Sequence, residues 1–509
     1  MQKIIVKKDT YFDSVFLMRI DKEIKSADGI KQSVVAMGTP HNLQLLNELN
    51  FSSEEISSAG PNDLVIALDA TNEQAAENAA TLFEQLCESA RNIESQDTSE
   101  KITSLNAALK KESEINLALI SVPGEYAALE TQKCLAKGLN VMIFSDNVSV
   151  EDEIKLKDIA IEKNLLVMGP DCGTAIINGV PLAFANVVSN GNIGIVGASG
   201  TGIQEVTCLI DKFGGGITQA IGTGGRDLSE QVGARTALAG IAALEKDDAT
   251  KVIVVISKPP APSVAKKVVE KLKTVKKPCV VQFLGLKPET RVDENVTFSA
   301  SLEETARLAC EKAGVEISKK AEINLPDISS LISKIGKGRK YLRGLFTGGT
   351  LCDEAISVLE DEGIEVKSNI HHNLEKRLTD PLKSEGNSVI DLGDDVFTVG
   401  RPHPMIDPET RTERIVAELD DDEVAVFLFD VVLGYGSHPD PAGAVVDALN
   451  TAGDKRENFI AIASVTGTRN DFQGLASQQK KLAAAGIIIL PSNYQASKFT
   501  AEILKNLRH

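Results

Sequence analysis

The sequence predicts an α/β protein built mainly from doubly wound parallel sheets. Short apolar runs alternate with helical patterns along nearly the whole chain, as βαβ units require. Two later stretches also repeat each other in order. IGIVGASGTG and LRGLFTGGT each read as a strand, a small-residue turn rich in hydroxyls, and a helix carrying acidic residues. QAIGTGGRD and VIDLGDDVFTVGR are strands leading into Gly/Arg loops, and VIVVISKPP pairs with VAVFLFDVVLG. Such a repeat implies two similar domains, each setting a helix N-terminus at the carboxyl edge of its sheet.

Taken in order, strands are expected near 3–6, 33–37 and 64–68, with helices beginning near Thr10 and Pro40. The Ala-rich stretch 72–112 reads as helical with a breakable middle at 94–100, which completes a small α+β unit over 1–112. In the unit over 113–189, LALISVP is a strand, GEYAALETQKCLAKG a helix closed by Gly138, and NVMIF a second strand. Ser149, Asp152 and Glu153 open the next helix, and LLVMGPDCG closes the unit. A third unit over 190–320 has strands near 193–196, 217–221, 252–257 and 280–284; the charged stretch 311–340 reads as a linker. The fourth, over 340–509, has strands near 342–346, 388–392, 425–429, 459–464 and 487–490.

With 509 residues the chain is too long for one hydrophobic core, and its composition, 42% hydrophobic and 25% charged, is that of a globular protein. Its 72 acidic and 54 basic residues leave a formal charge of −18, which disfavours nucleic acid and anionic membranes as partners. No apolar run approaches a membrane span, and MQKIIVKKDT has no signal-peptide pattern. The seven cysteines are scattered without a C-x-x-C pair, so a reducing cytoplasm without disulfides or structural zinc is expected. With no Trp and 4% aromatics, base-stacking platforms are not expected. Small anionic substrates fit better, held by local donors against the overall field.

The turn Gly197-Ala198-Ser199-Gly200-Thr201-Gly202 follows a strand and opens a helix. Small residues admit a ligand to the backbone N–H groups, and the helix dipole favours an anion. Ser199 and Thr201 add hydroxyls; the turn has neither the Lys of a phosphate loop of the Walker type nor a dinucleotide fingerprint. Thr347-Gly348-Gly349-Thr350 is its counterpart in the repeat, and about a pseudo-twofold axis both termini could face one anion. The plainer alternative is a pair of tight turns without a ligand. Arg226 and Asp227, after Gly224 and Gly225, follow a strand where crevices form, and Arg226 could fork a carboxylate or phosphate.

In Gly400-Arg401-Pro402-His403-Pro404-Met405-Ile406-Asp407-Pro408 the prolines stiffen a loop in which Arg401 could bind an anion and His403 exchange a proton. His371 and His372 lie in a polar stretch and read as solvated, His41 follows a proline, His509 is terminal, and His438 could line the crevice. Asp391, Asp394, Asp395 and Asp430 could hold a cation or pair Arg401; no His/Cys cluster marks a metal site.

From Asn116 to about Cys310 these motifs resemble the α subunit of succinyl-CoA synthetase: ISVPGEYAALETQKCLAKGLNVMIFSD, LLVMGPDCG, GNIGIVGASGTGIQEV and AIGTGGRD stand in that family's order. From Tyr341 onward the chain resembles the carboxyl-terminal domain of the β subunit, and GRPHPMIDP with LFTGGTLCDEA narrows the likeness to the fused FdrA family. The resemblance implies, after the α+β domain 1–112, a Rossmann-like CoA-binding-type unit at 113–189. Two flavodoxin-like doubly wound ligase-type domains would follow, of α type at 190–320 and of β type at 340–509. It also implies that Ser199, Gly200, Thr201 and Gly202, with Thr347, Gly348, Gly349 and Thr350, match the two helix ends that hold phosphate in the synthetases.

Two departures stand out. The synthetases' phosphorylated His has no counterpart in LKPETRVDENVTFSA, and Ser257-Lys258-Pro259 replaces its acidic partner. The ATP-grasp domain of the synthetase β subunit also has no counterpart in the chain. The resemblance to the FdrA family therefore implies a subunit of an oxamate carbamoyltransferase. Such an enzyme interconverts oxalurate plus phosphate with oxamate plus carbamoyl phosphate in ureide (allantoin) breakdown. Phosphate or carbamoyl phosphate would be substrate, Arg226 or Arg401 the carboxylate clamp and His403 the proton carrier, with CoA left open. Partner subunits and homo-oligomers are expected. The alternatives are an acyl-CoA synthetase using another His, with His403 the candidate, and a non-catalytic scaffold subunit.

Overall fold

The computed structural model describes residues 1–10, 12, 14–95, 102–286, 294–317, 325–399 and 401–507, and their strands form four sheets. The chain divides into two units, Met1–Ala108 with Thr398–Pro402, and Leu109–Phe397 with His403–His509.

In the first unit, Gln2–Lys7 and Ile30–Met37 flank Leu64–Ala70 in an antiparallel sheet. Leu64–Ala70 is almost continuously apolar and almost fully buried, as a central strand covered on both faces must be. The helices Ser14–Lys25 and Glu73–Ser95 supply Leu17, Ile24, Ala79 and Phe83 to one apolar cluster with it. On the other face, Leu46 and Phe51 join Val65 and Ala67. The expected break after the long helix falls largely on 96–101, outside the described residues.

The second unit opens with a parallel sheet of Leu117–Ile120, Asn140–Ile143 and Val167–Met168. Two larger sheets follow. In the first, the parallel strands Asn190–Ala198, Ile217–Gly222, Val252–Ser257, Cys279–Phe283 and Val296–Phe298 stand in spatial order 2-1-3-4-5. In the second, Tyr341–Phe346, Ser388–Asp391, Val424–Val432, Ile460–Thr466 and Ile488–Leu490 stand in the same order. The repeat read from sequence is thus a repeat of topology. In both lobes the chain reverses between its first and third strands, whose carboxyl ends are where such sheets form their crevices.

The helices that follow the two first strands, Gly200–Lys212 and Gly349–Asp361, are buried almost all round: every residue from Gly202 to Ile210 is covered, and so are Thr350 to Ile356. Their glycine-rich first turns are poor helix formers, so burial rather than propensity holds them. Ile203, Val206 and Ile210 share one apolar cluster with Leu351, Ala355, Leu359 and Phe499, which fastens the lobes together.

Several elements escaped the sequence reading. Thr174–Ile177 and Val180–Ala183 form a hairpin across Asn178-Gly179 that extends the first lobe's sheet on its antiparallel edge. Val296–Phe298 is too short to show a period. The stretch expected to be a linker begins inside the helix Leu302–Lys312 and includes Ile328–Ile332, whose Leu331 enters the shared cluster; 318–324 lie outside the described residues. No helix among the described residues is long and apolar enough to cross a membrane.

Candidate functional site

The two helix tips meet. Ser199 Oγ lies 2.8 Å from Thr350 Oγ1, both buried, and a Cβ on Gly348 would stand 2.8 Å from Thr201 Cγ2. Only glycine at 348 permits that approach. Neither Ser199 nor Gly348, the cap residues, makes a side-chain cap bond, and among the described residues the N–H groups of Gly200, Thr201, Gly202, Gly349 and Thr350 have no acceptor. Two positive dipole ends thus converge on one place, as expected for an anion site.

The hydroxyls are arranged differently from expectation. Ser199 and Thr350 bond each other. The Thr347 N–H and Gly348 N–H both donate to Asp430 at 2.8 Å, and Thr347 Oγ1 lies 3.1 Å from the same carboxylate. Arg411, 1% exposed, donates to the Asp430 carbonyl at 2.7 Å and lies 3.3 Å from its carboxylate. Burial pushes Asp430 up and Arg411 down. Thr347 is therefore a pinned residue rather than a ligand donor, and the cation that Asp430 pairs is Arg411. Gly200, Thr201, Gly202, Gly349 and Thr350 retain the N–H groups that can face a ligand.

Lys258 was not foreseen as a member of the site. It follows Val252–Ser257, which pairs beside the first strand of its own lobe, and crosses to the other lobe. Its Nζ lies 3.2 Å from the position a Cβ on Gly349 would take. Burial would depress it, but Asp391, Asp353 and Asp171 outweigh that and raise its pKa. Among the described residues no carboxylate stands within salt-bridge distance of Nζ. The signal was the Ser-Lys-Pro step read from sequence only as a missing acid.

Asp391 ends the second strand of the second lobe and is 6% exposed. Its Oδ1 accepts the Gly393 N–H at 2.9 Å, and its Oδ2 comes within 2.6 Å of the Cβ position on Gly349. Burial, opposed by Lys258, pushes it up to about 7. Asp353, one helical turn beyond Gly349, faces His372 Nε2 at 3.4 Å and raises its pKa. His372 is half exposed but paired, and His371 is buried against Glu360 rather than solvated.

His403 stands beside the second tip, its Nε2 against Gly393. Its Nδ1 accepts the Met405 N–H at 3.2 Å, and its ring lies 5.8 Å from Phe184. Burial pushes it down to about 4, so the ring is neutral near pH 7 and its acceptor nitrogen is engaged. That geometry makes it a wall of the site rather than the expected proton carrier. Arg401 groups with the first unit and His403 with the second; Gly400 and His509 lie outside the described residues, as does the side chain of His41. His438 Nδ1 accepts the Asp440 N–H in its own loop at 3.0 Å.

Arg226 is likewise corrected. Its Nε donates to Glu153 at 3.1 Å and another guanidinium nitrogen to the Val148 carbonyl at 2.7 Å. Lys157, 1% exposed, donates to Glu153, Asp227 and the Thr223 carbonyl at 2.7, 2.8 and 3.1 Å. Asp227 also accepts the Thr236 and Ala237 N–H groups. The loop is a buried ionic staple, not a ligand clamp. Gly224, at φ +83°, is required because a Cβ would overlap the Pro170 carbonyl, and a Cβ on Gly225 would meet only Asp171.

The chain is 44% identical over 512 residues to the uncharacterized protein YahF of Escherichia coli (strain K12), with 99% of this chain and 98% of YahF covered. It belongs to the YahF family. Within the chain, the family model described as CoA-ligase matches residues 345–503, that described as CoA binding domain matches 188–285, and that described as AllF, heavy metal-associated domain, matches 1–103. The YahF-family chain is thus a fused, succinyl-CoA synthetase-like protein.

It is 31% identical over 121 residues to the α subunit of the ADP-forming succinate–CoA ligase of Aquifex aeolicus (strain VF5), covering 23% of this chain and 40% of that subunit. A solved structure of a dinucleotide-forming acetyl-coenzyme A synthetase from Ca. Korarchaeum cryptofilum is 18% identical, with 78% of this chain and 84% of that chain covered and a TM-score of 0.29. A heavy metal does not suit the described residues of the matched N-terminal stretch. Its one cysteine, Cys87, is buried in the apolar cluster, and no three His, Cys, Asp or Glu among the described residues converge.

Proposed function

We propose that the paired helix tips are the anion site of an acyl-CoA synthetase-type protein, and that the anion is phosphate or the phosphoryl end of an acyl phosphate. The observation that carries this reading is the 2.8 Å contact between Ser199 and Thr350, which brings two uncapped tips together beside Lys258. The CoA-ligase and CoA binding matches over 345–503 and 188–285 support it. When phosphate attacks an acyl carbon, charge develops between the tips; N–H dipoles already aimed there stabilise it without reorganising, and Lys258 adds a full positive charge. Isothermal calorimetry with inorganic phosphate tests the site: one phosphate per chain is expected, and no binding would remove the reading.

A finer reading is carbamoyl transfer, in which phosphate cleaves the ureido C–N bond of oxalurate to give carbamoyl phosphate and oxamate. What favours it is Lys258, a cation where the resemblance leads one to expect an acid that would support a phosphorylated histidine, together with the uncharged His403. Incubation with oxalurate, phosphate and candidate partner subunits is expected to yield carbamoyl phosphate. Acid-labile label on the chain after incubation with radioactive ATP favours acyl-CoA synthesis instead.

A further inference from the structure

We propose that Asp391 is the proton-exchanging residue of the twin-tip site, protonated on Oδ2 when a dianion of the phosphate class is bound, so that binding takes up one proton from solvent. The inference rests on the anion-site reading above and adds a group to it.

The geometry isolates one oxygen. Oδ1 is held by the Gly393 N–H, whereas Oδ2, on a residue 6% exposed, has no hydrogen bond among the described residues and points at the first turn of the helix Gly349–Asp361. The backbone of Asp391 is fixed on both sides by Asn369, which accepts its N–H at 3.0 Å and donates to its carbonyl at 2.9 Å. With Oδ1 held by the Gly393 N–H as well, the carboxyl is kept facing the helix tip.

An ionised Asp391 would repel a dianion at this helix end across a few ångströms of low-dielectric surroundings, while a neutral one donates a hydrogen bond to it. The charged or titratable groups facing it are Lys258, which follows the third strand of the first lobe, Asp353 and the thiol of Cys352 from the helix Gly349–Asp361, and Asp394 from its own loop. Asp353 is in turn paired with His372, and His403, uncharged, closes the side at Gly393. Burial already holds the group near neutrality, at about 7, so the cost of protonating it is small.

The same proton balances the chemistry. As a phosphate oxygen bonds to the acyl carbon and the acyl–N or acyl–S bond breaks, the leaving atom takes the Oδ2 proton. The proton that the hydrogen phosphate loses then restores the acid.

Calorimetry with sulfate, a dianion that does not itself titrate, separates the outcomes when it is run near pH 8 in two buffers of different ionisation enthalpy. The wild-type chain is expected to take up close to one proton per sulfate, with affinity falling up to tenfold per pH unit above the titration range. Asp391→Asn is expected to bind sulfate with no uptake and a flat pH profile. Retained sulfate binding shows that Asp391→Asn is folded, and His372→Gln is expected to keep the uptake, which excludes the neighbouring imidazole as its source. Sulfate binding without proton uptake, or uptake that survives Asp391→Asn or disappears with His372→Gln, overturns the inference. Failure of wild-type chain to bind both sulfate and phosphate overturns instead the anion-site reading beneath it.

Discussion

Ser199 and Thr350 face each other hydroxyl to hydroxyl at 2.8 Å, although 151 residues of chain separate them. Each belongs to the first turn of the helix that follows the first strand of its lobe. Six residues on from each cap the correspondence continues: Glu205 follows Ser199 and Glu354 follows Gly348, and both are buried. Asn493 bridges them, its N–H donating to Glu205 at 3.1 Å and its Nδ2 to Glu354 at 2.9 Å. The pseudo-symmetric pair of helices is therefore tied at the tips by hydroxyls and in the middle by carboxyls.

Lys258→Met removes the cation beside Gly349. Phosphate affinity is expected to fall about tenfold or more, the worth of one hydrogen bond to a charged group. The rise in melting temperature expected of the wild-type protein with phosphate should shrink accordingly, and calorimetry measures both. Unchanged affinity would show that Lys258 does not contact the anion.

Gly348→Ala places a methyl 2.8 Å from Thr201 Cγ2 and 3.0 Å from its Cβ. A packed junction of this kind is expected to lose about 1–3 kcal/mol in urea unfolding, and phosphate affinity with it as the tips spread. Ser199→Ala removes only one buried hydrogen bond and should cost about 1 kcal/mol.

Glu354, which burial pushes up to about 7 from 4.5, makes stability depend on pH. Between those values the native chain keeps a proton that the unfolded chain releases, so its contribution is complete below the lower value and is lost as pH rises through the upper one. Glu354→Gln is expected to flatten the decline in unfolding free energy between pH 5 and pH 8 by on the order of 1–3 kcal/mol. Denaturant titrations of the two proteins at both pH values measure that slope.

Lys157→Met leaves Asp227 buried without its cation and Glu153 with Arg226 alone, and is expected to destabilise by about 3–5 kcal/mol. Arg226→Ala, at a residue whose side chain is 43% exposed, should cost no more than about 1 kcal/mol. Phosphate affinity of Arg226→Ala should stay within about twofold of wild type, since its guanidinium is already engaged. A larger loss of affinity would return Arg226 to the ligand site.

Periodicity alone determined the succession of strands and helices and the repeat of one doubly wound lobe by another, because alternation of buried runs and amphipathic helices is local information. It also marked both glycine-rich turns, since only small residues let a strand turn so closely into a buried helix. What the turns do was decided by tertiary structure. Which hydroxyls are pinned depends on Asp430 arriving from another strand, and which cation stands beside the tips depends on Lys258 crossing between lobes. Arg226 and His403 have ligand-like sequence contexts, yet a buried Glu153 holds the one and burial discharges the other. Electrostatics in a folded chain is set by neighbours distant in sequence, and no spacing of residues along the chain carries it.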